Sequence, residues 1–195
     1  MNKRPLILVT NDDGITAPGI RTLIAVMNEI GDEVVVAPDS PQSGMGHAIT
    51  LGQHLRLTKV HWEDDPSVEA YSCSGTPVDC VKLAVDKVLH RKPTICLSGI
   101  NHGANHSINV IYSGTMSAAM EASLEGISSI GFSVTEFQHG VDFKPYTDIV
   151  RKITEFVMND GIEKSNLLNV NIPFVPIDKL KGIKVCRQAE ANWKE

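Results

Sequence analysis

Two adjacent carboxylates, Asp12 and Asp13, are the side chains of this 195-residue chain best suited to do chemistry. They follow four aliphatic residues, Leu6 to Val9, and precede Gly14. This pattern predicts a buried strand that ends in a tight turn. Proteins usually hold Mg²⁺ or Mn²⁺ with one or two carboxylates and substrate oxygens, so the pair predicts a hard-cation site. A solvated acidic turn is the plain alternative, because Asp and Asn are common in turns.

Three further polar segments contain glycine and carry groups that complement the acid pair: residues 39–47, 98–103 and 113–115. Ser43 in the first segment offers a hydroxyl oxygen, and Asn101 in the second offers an amide oxygen. The third segment opens a predicted helix, whose first backbone amides suit a phosphate group. Combined with Asp12 and Asp13, these groups predict a divalent-metal site that binds phosphate. A loop serine often bonds only its own backbone, which is the alternative for Ser43.

Strand and helix patterns alternate along the chain and must position these groups. Buried strands are predicted over residues 6–9, 33–37, 93–97, 127–134 and 167–172, and helices after Gly14, after Thr76, over 116–122 and over 146–158. Residues 48–73 are expected to add a few extra strands outside the main sheet. The order predicts an α/β fold with a doubly wound, mostly parallel sheet and helices on both faces.

The predicted sheet explains how distant segments can form one site. Strands of a parallel sheet end at a common edge, and ligands of open α/β sheets bind beyond those carboxyl ends. Thr76, Pro77 and Asp79 fit a helix cap, with Thr76 at the N-cap, Pro77 in the first turn and Asp79 as the reciprocal partner. We therefore assign these three residues to the fold and the four polar segments to the site.

Composition limits the classes of protein and partner. A chain of 195 residues fits one domain, residues 1–195, and a hydrophobic content of 42% is ordinary for a globular protein. The formal net charge of −5 offers no general attraction for a nucleic acid duplex or an anionic membrane. The four cysteines form no CxxC pair, and neither a signal peptide nor a membrane-spanning run is visible. These features predict a cytoplasmic protein.

The run Leu8-Val9-Thr10-Asn11-Asp12-Asp13-Gly14 resembles the SurE (survival protein E) family of metal-dependent nucleotidases. Four further groups of residues share the resemblance, in order and at compatible spacing: 37–39 with 43 and 46–47, 75–77 with 79–80, 98–101 with 103, and 112–115. Together they extend over nearly the whole chain. The resemblance implies a Rossmann-like domain that hydrolyses nucleoside 5′- and 3′-monophosphates.

The resemblance also implies roles for particular residues. One divalent cation per subunit, Mg²⁺ or Mn²⁺, is expected to be held by Asp12, Asp13, Ser43 and Asn101. Catalytic roles are expected for Asp12, Asp13 and Asn101, and either aspartate could accept a proton from the attacking water. The residues expected to bind the nucleoside monophosphate are Asn11, Gly44, Ser113, Gly114 and Thr115. The resemblance further implies a homodimer or homotetramer.

Two features depart from the family pattern. Asn109 stands where the family usually has an acidic residue shortly before the Tyr-Ser-Gly-Thr segment, so an auxiliary acidic role is weakened there. Family members also usually continue for roughly another quarter of a chain, beyond the size that one α/β domain needs. That part normally contributes to subunit contacts and closes the fold near the site.

The main alternative function is a Mg²⁺-binding receiver domain, which also places paired acids after its first strand. It would need a phosphoaccepting Asp at the end of its third strand, and residues 54–65 contain no apolar strand that runs into an Asp. Dinucleotide-binding and P-loop motifs are absent from the sequence. His102 and His106 are interpreted as polar surface, and His47 either orients the Ser43 loop or is a surface histidine.

Overall fold

A computed structural model describes residues 4–63, 65–137, 140–162 and 165–191 of the chain. The described strands form one seven-stranded sheet in the order β3-β4-β2-β1-β5-β6-β7. Their bounds are Leu6–Thr10 for β1, Asp32–Pro38 for β2, Leu57–Val60 for β3, Glu69–Cys73 for β4, Ile95–His102 for β5, Ser128–Val134 for β6 and Leu167–Ile172 for β7.

The sheet is parallel except at one edge, where β3 runs antiparallel to β4. The expectation that residues 48–73 add strands outside the main sheet is therefore wrong. Strand β4 pairs in parallel with β2, and Val34 lies opposite Glu69. The polar residues of the edge strand β3 and of its neighbour β4 hid this pairing, because both strands are only partly buried and lack the continuous apolar run of a central strand.

Both faces of the sheet are apolar, as the doubly wound prediction requires. Ile7 and Val9 of β1 pack in one cluster with Leu23 of the first helix and Val150 of the last. Leu8 of the same strand packs on the opposite face in a second cluster that includes residues 81, 84, 118 and 122. Successive strand residues point to opposite faces, so a run of aliphatic residues is what a strand between two helical layers needs.

The described residues form five α-helices, and all but the short α3 pack on these faces: α1 (Pro18–Met27), α2 (Pro77–Leu83), α3 (Asn109–Tyr112), α4 (Gly114–Leu124) and α5 (Thr147–Asp160). Helices α1 and α5 contact each other on one face, and α2 and α4 contact each other on the other. The predicted cap of α2 is confirmed, since Asp79 N donates to Thr76 Oγ1 and Thr76 N donates to Asp79 Oδ2. Across the described residues, no helix has both the length and the apolar character needed to span a bilayer.

Strands that follow β1 in the sequence are added first to one side of it and then to the other. This change of side at β1 creates the crevice where the site lies. From β1 the chain adds β2 and β4 on one side, and from β5 onward it adds strands on the other. Neighbouring loops therefore leave the sheet in opposite directions at the β1–β5 boundary, where open α/β sheets bind ligands. Asp12 and Asp13 follow β1, and Asn101 and His102 end β5.

Candidate functional site

Asp12 is fixed by the first turn of α4. Its Oδ1 accepts a hydrogen bond from Thr115 Oγ1 at 2.5 Å, and the aspartate is only 5% exposed. Ser113 caps the same helix, because its Oγ accepts from Met116 N at 3.0 Å. The predicted helix start after Tyr112 is thus confirmed, and it brings residues separated by about one hundred positions into contact.

Glycine at position 114 allows this close approach. A Cβ atom placed on Gly114 would lie 2.6 Å from Asp12 Cβ and 3.0 Å from Asp12 Oδ2. Contacts this short do not occur between real side-chain carbons, so only glycine lets the helix start against the carboxylate. The N-terminal end of a helix carries free amides and a partial positive charge, which favour an anion.

Asp13 lies beside a histidine from the neighbouring strand. His102 Nδ1 is 3.5 Å from Asp13 Oδ2, and the Asp13 side chain is 15% exposed against 35% for His102. His102 is therefore a partly exposed polar residue, as predicted, but it contacts an acid of the site. The assignment of residues 98–102 to a loop is wrong, because β5 continues through them and this extension carries His102 to Asp13. His106, the other histidine of that segment, is exposed.

Burial dominates the electrostatics of the acid pair. It raises the pKa of Asp12 to about 6, with the neighbouring Asp13 charge adding to the rise and the Thr115 hydroxyl opposing it. Burial also raises the pKa of Asp13, while the charge and hydrogen bond of His102 oppose that rise. Two adjacent carboxylates with raised pKa values are stabilised in their charged form by a cation, since an opposite charge favours ionisation. The pair is therefore chemically suited to a cation.

The loop that carries Ser43 is tied to the acid turn by its backbone. Gln42 N donates to Asp12 O at 2.8 Å, and Ile15 N donates to Pro38 O at 2.9 Å. Ser43 and Gly44 themselves lie exposed at the tip of the loop. The structure thus brings the loop to the edge of the sheet where Asp12 lies. Ser43 directly follows Gln42, the residue whose amide is bonded to the Asp12 carbonyl.

Asn101 reaches the same edge from β5. Its Nδ2 donates to Gly103 O at 2.9 Å, so the amide nitrogen is bonded to the backbone of the turn that follows β5. Asn101 lies next to His102, the neighbour of Asp13, so the β1 and β5 ends converge as predicted. A separate network supports the turn beyond it, where the Nδ2 of buried Asn105 donates to Ser133 Oγ and Asn169 Nδ2 donates to Asn105 O.

Two other residues singled out in the sequence make bonds within their own loops. Asn11 is 2% exposed, and its Nδ2 donates to Gly14 O at 2.9 Å, while its buried Oδ1 has no hydrogen-bond partner among the residues that the structure describes. Asn109 donates from Nδ2 to Ala104 O at 3.1 Å. Asn109 therefore closes the turn between β5 and α3, and the assignment of Asn11 to substrate binding stays a prediction.

Comparison with protein families agrees with this geometry. The family described as survival protein SurE matches residues 7–195, which is nearly the whole chain. The chain belongs to the SurE family. A protein of Christiangramia forsetii named 5′-nucleotidase SurE is 60% identical over 99% of this chain and 74% of its own length. A protein of the same name from Bacteroides thetaiotaomicron is 46% identical over 98% of this chain and 73% of its own length.

A solved SurE structure shares the fold. The crystal structure of the SurE protein from Aquifex aeolicus superposes with a TM-score of 0.86 at 39% identity, covering 97% of this chain and 75% of that one. The family assignment and the α/β prediction are thereby confirmed. The receiver alternative gains no support, because β5, the strand beside β1, ends in Asn101-His102 and carries no Asp.

Proposed function

We propose that this SurE-family chain is a metal-dependent phosphomonoesterase that hydrolyses nucleoside 5′-monophosphates to nucleoside and phosphate. One observation carries the proposal: at the β1–β5 boundary, buried Asp12 lies directly against the first turn of α4, with the partly buried Asp13 next to it in the chain. This places anionic oxygens, which suit a cation, beside helix amides, which suit a phosphate. The relatives named 5′-nucleotidase SurE, at 60% and 46% identity, support the nucleotide as substrate.

The residues present fit one divalent cation. Asp12 and Asp13 would hold it, because burial raises the pKa of both carboxylates and a cation would favour their charged form, and Ser43 and Asn101 would add neutral oxygens. Among the described residues, no three His, Cys, Asp or Glu side chains are grouped as metal ligands, which fits a site completed by neutral and substrate oxygens. The bound cation would supply Lewis acidity toward a phosphate oxygen. Both Mg²⁺ and Mn²⁺ suit these oxygen ligands.

The chain's own groups would position the phosphate and move the proton. The backbone amides of Ser113, Gly114 and Thr115 would bind the equatorial phosphate oxygens, and Asn101 would help to stabilise charge on them. One aspartate of the pair would accept the proton of the attacking water, a role that needs a carboxylate within hydrogen-bond reach of that water. Thr115 would keep Asp12 oriented throughout, through its 2.5 Å bond.

The test is phosphate release from a panel of nucleoside monophosphates, first with EDTA and then with added Mg²⁺ or Mn²⁺. We expect no turnover with EDTA and restored turnover with metal, and the panel ranks the 5′- against the 3′-esters. Asp12→Asn and Asp13→Asn should each abolish the metal-dependent turnover. Near-full activity in either variant would remove the carboxylate assignment. A stoichiometric aspartyl phosphate from acetyl phosphate, without turnover, would instead favour the receiver alternative.

Three further properties belong to the same proposal: activity on 3′-monophosphates, a cytoplasmic location and a homodimeric or homotetrameric assembly of single-domain subunits. Light scattering coupled to size-exclusion chromatography measures the assembly directly. A monomer at micromolar concentration would contradict that part of the proposal without affecting the chemistry.

A further inference from the structure

The loop that bears Ser43 is followed by a segment, residues 46–50, that is bound to three helices. We call residues 46–50 the anchor segment. Gly46 N donates to Tyr112 O in α3 at 3.1 Å, and Thr76 Oγ1 donates to Ala48 O at 2.7 Å. Thr50 Oγ1 donates to Asp79 Oδ2 at 2.6 Å, and Thr50 N approaches the same carboxylate. The exposed tip, residues 43–45, therefore emerges from a firmly held base.

His47 gives the anchor segment a side-chain contact with α4. Its Nε2 lies 2.8 Å from Glu121 Oε2 in α4. The other oxygen of this carboxylate, Oε1, accepts from Lys82 Nζ at 3.0 Å, and the Glu121 side chain is only 9% exposed. Burial raises the pKa of Glu121, but the bonds from His47 and Lys82 outweigh that effect and hold the pKa below its usual range. Glu121 is therefore a fixed, charged acceptor.

Helix α4, which carries Glu121, also contacts Asp12 of the carboxylate pair through its first turn. Helix α4 begins at Gly114, against Asp12, and Glu121 lies seven residues further on, about two turns or roughly 10 Å along the axis. A rigid helix thus connects the Thr115–Asp12 bond to the Glu121–His47 contact. Any displacement of the loop base relative to α4 would change the position of Ser43 relative to the carboxylate pair.

We propose that His47 is a positioning residue, whose contact with Glu121 fixes Ser43 and Gly44 relative to Asp12, Asp13 and the first turn of α4. The inference rests on the proposed function for its catalytic consequence. A surface or purely structural histidine, the alternative, would contribute to the free energy of unfolding alone. The orientation of neutral and charged ligands by a surrounding hydrogen-bond shell is a general property of metal sites.

The experiment compares His47→Ala with His47→Gln, because the glutamine amide nitrogen can restore a donor to Glu121. Lys82→Met is the matched control, since it removes the other partner of the same carboxylate without touching the loop. The readouts are kcat and KM for a nucleoside monophosphate with Mn²⁺, Mn²⁺ affinity by calorimetry without substrate, hydrogen exchange of residues 42–46, and Tm.

We expect His47→Ala to lower kcat and Mn²⁺ affinity by about tenfold, within the range for groups that orient metal ligands. Hydrogen exchange at the loop tip should accelerate in this variant. His47→Gln should recover most of each loss, and Lys82→Met should lower Tm while leaving loop exchange and kcat within about twofold of the unmodified chain. Unchanged loop exchange in His47→Ala, or the absence of rescue by glutamine, would overturn the proposal.

The two proposals fail in distinguishable ways. If the unmodified chain releases no phosphate from any nucleotide with any metal, the proposed function fails, and the hydrogen-exchange comparison still decides the role of His47. If the unmodified chain is active and His47→Ala matches Lys82→Met in every readout, the proposed function stands and the positioning role is excluded.

Discussion

Thr115 Oγ1 donates a 2.5 Å hydrogen bond to Asp12 Oδ1, across 103 positions of the sequence. This bond joins the two features that define the site, the acid turn after β1 and the first turn of α4. It also opposes the effect of burial, because the hydroxyl lowers the pKa that burial raises to about 6. Thr115 thus helps to keep a deeply buried carboxylate charged.

Thr115→Val should weaken the site while preserving the shape of the side chain. Removing the hydroxyl leaves a buried carboxylate without its donor, and a hydrogen bond to a charged group contributes about 1.5–3 kcal/mol. We expect Mn²⁺ affinity, measured by calorimetry, and kcat to fall by about tenfold or more, as for other losses around metal ligands. Thr115→Ser keeps the hydroxyl and should retain most of both. Equal values for the valine variant and the unmodified chain would show that the bond has no functional role.

Gly114→Ala should disrupt the same contact by crowding. The added Cβ would lie 2.6 Å from Asp12 Cβ, so the helix or the acid turn has to move. A displacement of about 1 Å in an active site can reduce rate on the order of 10²-fold, and we expect a loss of kcat/KM of that size. Met120→Ala, an exposed change on the same helix, is the control. An alanine variant with unimpaired kcat/KM would mean that the approach of α4 to Asp12 is unimportant for turnover.

His102→Ala tests the second contact of the acid pair. His102 Nδ1 lies 3.5 Å from Asp13 Oδ2 and opposes the rise that burial causes in the pKa of Asp13. Without the imidazole the pKa of Asp13 should rise further, and kcat at a fixed Mn²⁺ concentration should fall by about tenfold. His106→Ala changes the exposed histidine of the same segment and should leave kcat unaltered. If both alanine variants behave alike, the contact with Asp13 has no catalytic consequence.

The fold could be predicted largely from sequence because the central strands are buried on both faces. The sequence pattern predicts strands over residues 6–9 and 167–172, and the structure has β1 at Leu6–Thr10 and β7 at Leu167–Ile172. Strands β3 and β4 were misplaced, since their burial is partial and the pairing that joins them to the sheet, between β4 and β2, depends on residues more than thirty positions apart. Periodicity reports local burial, but it does not report which strand is the neighbour.

The site was predictable to the extent that it follows topology. Acidic and amide residues at strand ends meet at one edge of a parallel sheet, so the common location of Asp12, Asp13 and Asn101 could be predicted. The contact between His102 and Asp13 could not be predicted, because it depends on β5 extending through a glycine-containing segment that resembles a loop. The His47–Glu121 contact depends on the packing of a loop against α4, which has no local signature in the sequence.

Glu33 gives a prediction about stability that is independent of catalysis. It is 7% exposed at the start of β2, and within the described part of the chain neither carboxylate oxygen has a hydrogen-bond partner. Burial raises its pKa to about 8, with the charge of Asp65 adding to the rise and that of Arg4 opposing it. The folded state therefore holds the proton more tightly than the unfolded state, in which a glutamate titrates near 4.3.

The sign of the pH dependence follows from this difference. Below about pH 4.3 both states carry the proton, and the stabilising contribution of neutral Glu33 is complete. As pH rises toward 8 the unfolded state ionises first, so stability is lost at about 1.4 kcal/mol per pH unit, or a few kcal/mol in total. Glu33→Gln cannot ionise, and its advantage in the free energy of unfolding over the unmodified chain should grow between pH 5.5 and 8.5.

Urea denaturation at pH 5.5, 7 and 8.5 measures this advantage, with the exposed change Glu63→Gln as the control for loss of one negative charge. Glu63→Gln should run parallel to the unmodified chain at all three pH values, whereas Glu33→Gln should diverge upward as pH increases. Parallel curves for Glu33→Gln would mean that this carboxylate is charged in the folded state and has found a partner. Because Glu33 lies at the opposite end of β2 from the site, kcat of Glu33→Gln should match that of the unmodified chain, which separates this stability effect from the chemistry at Asp12 and Asp13.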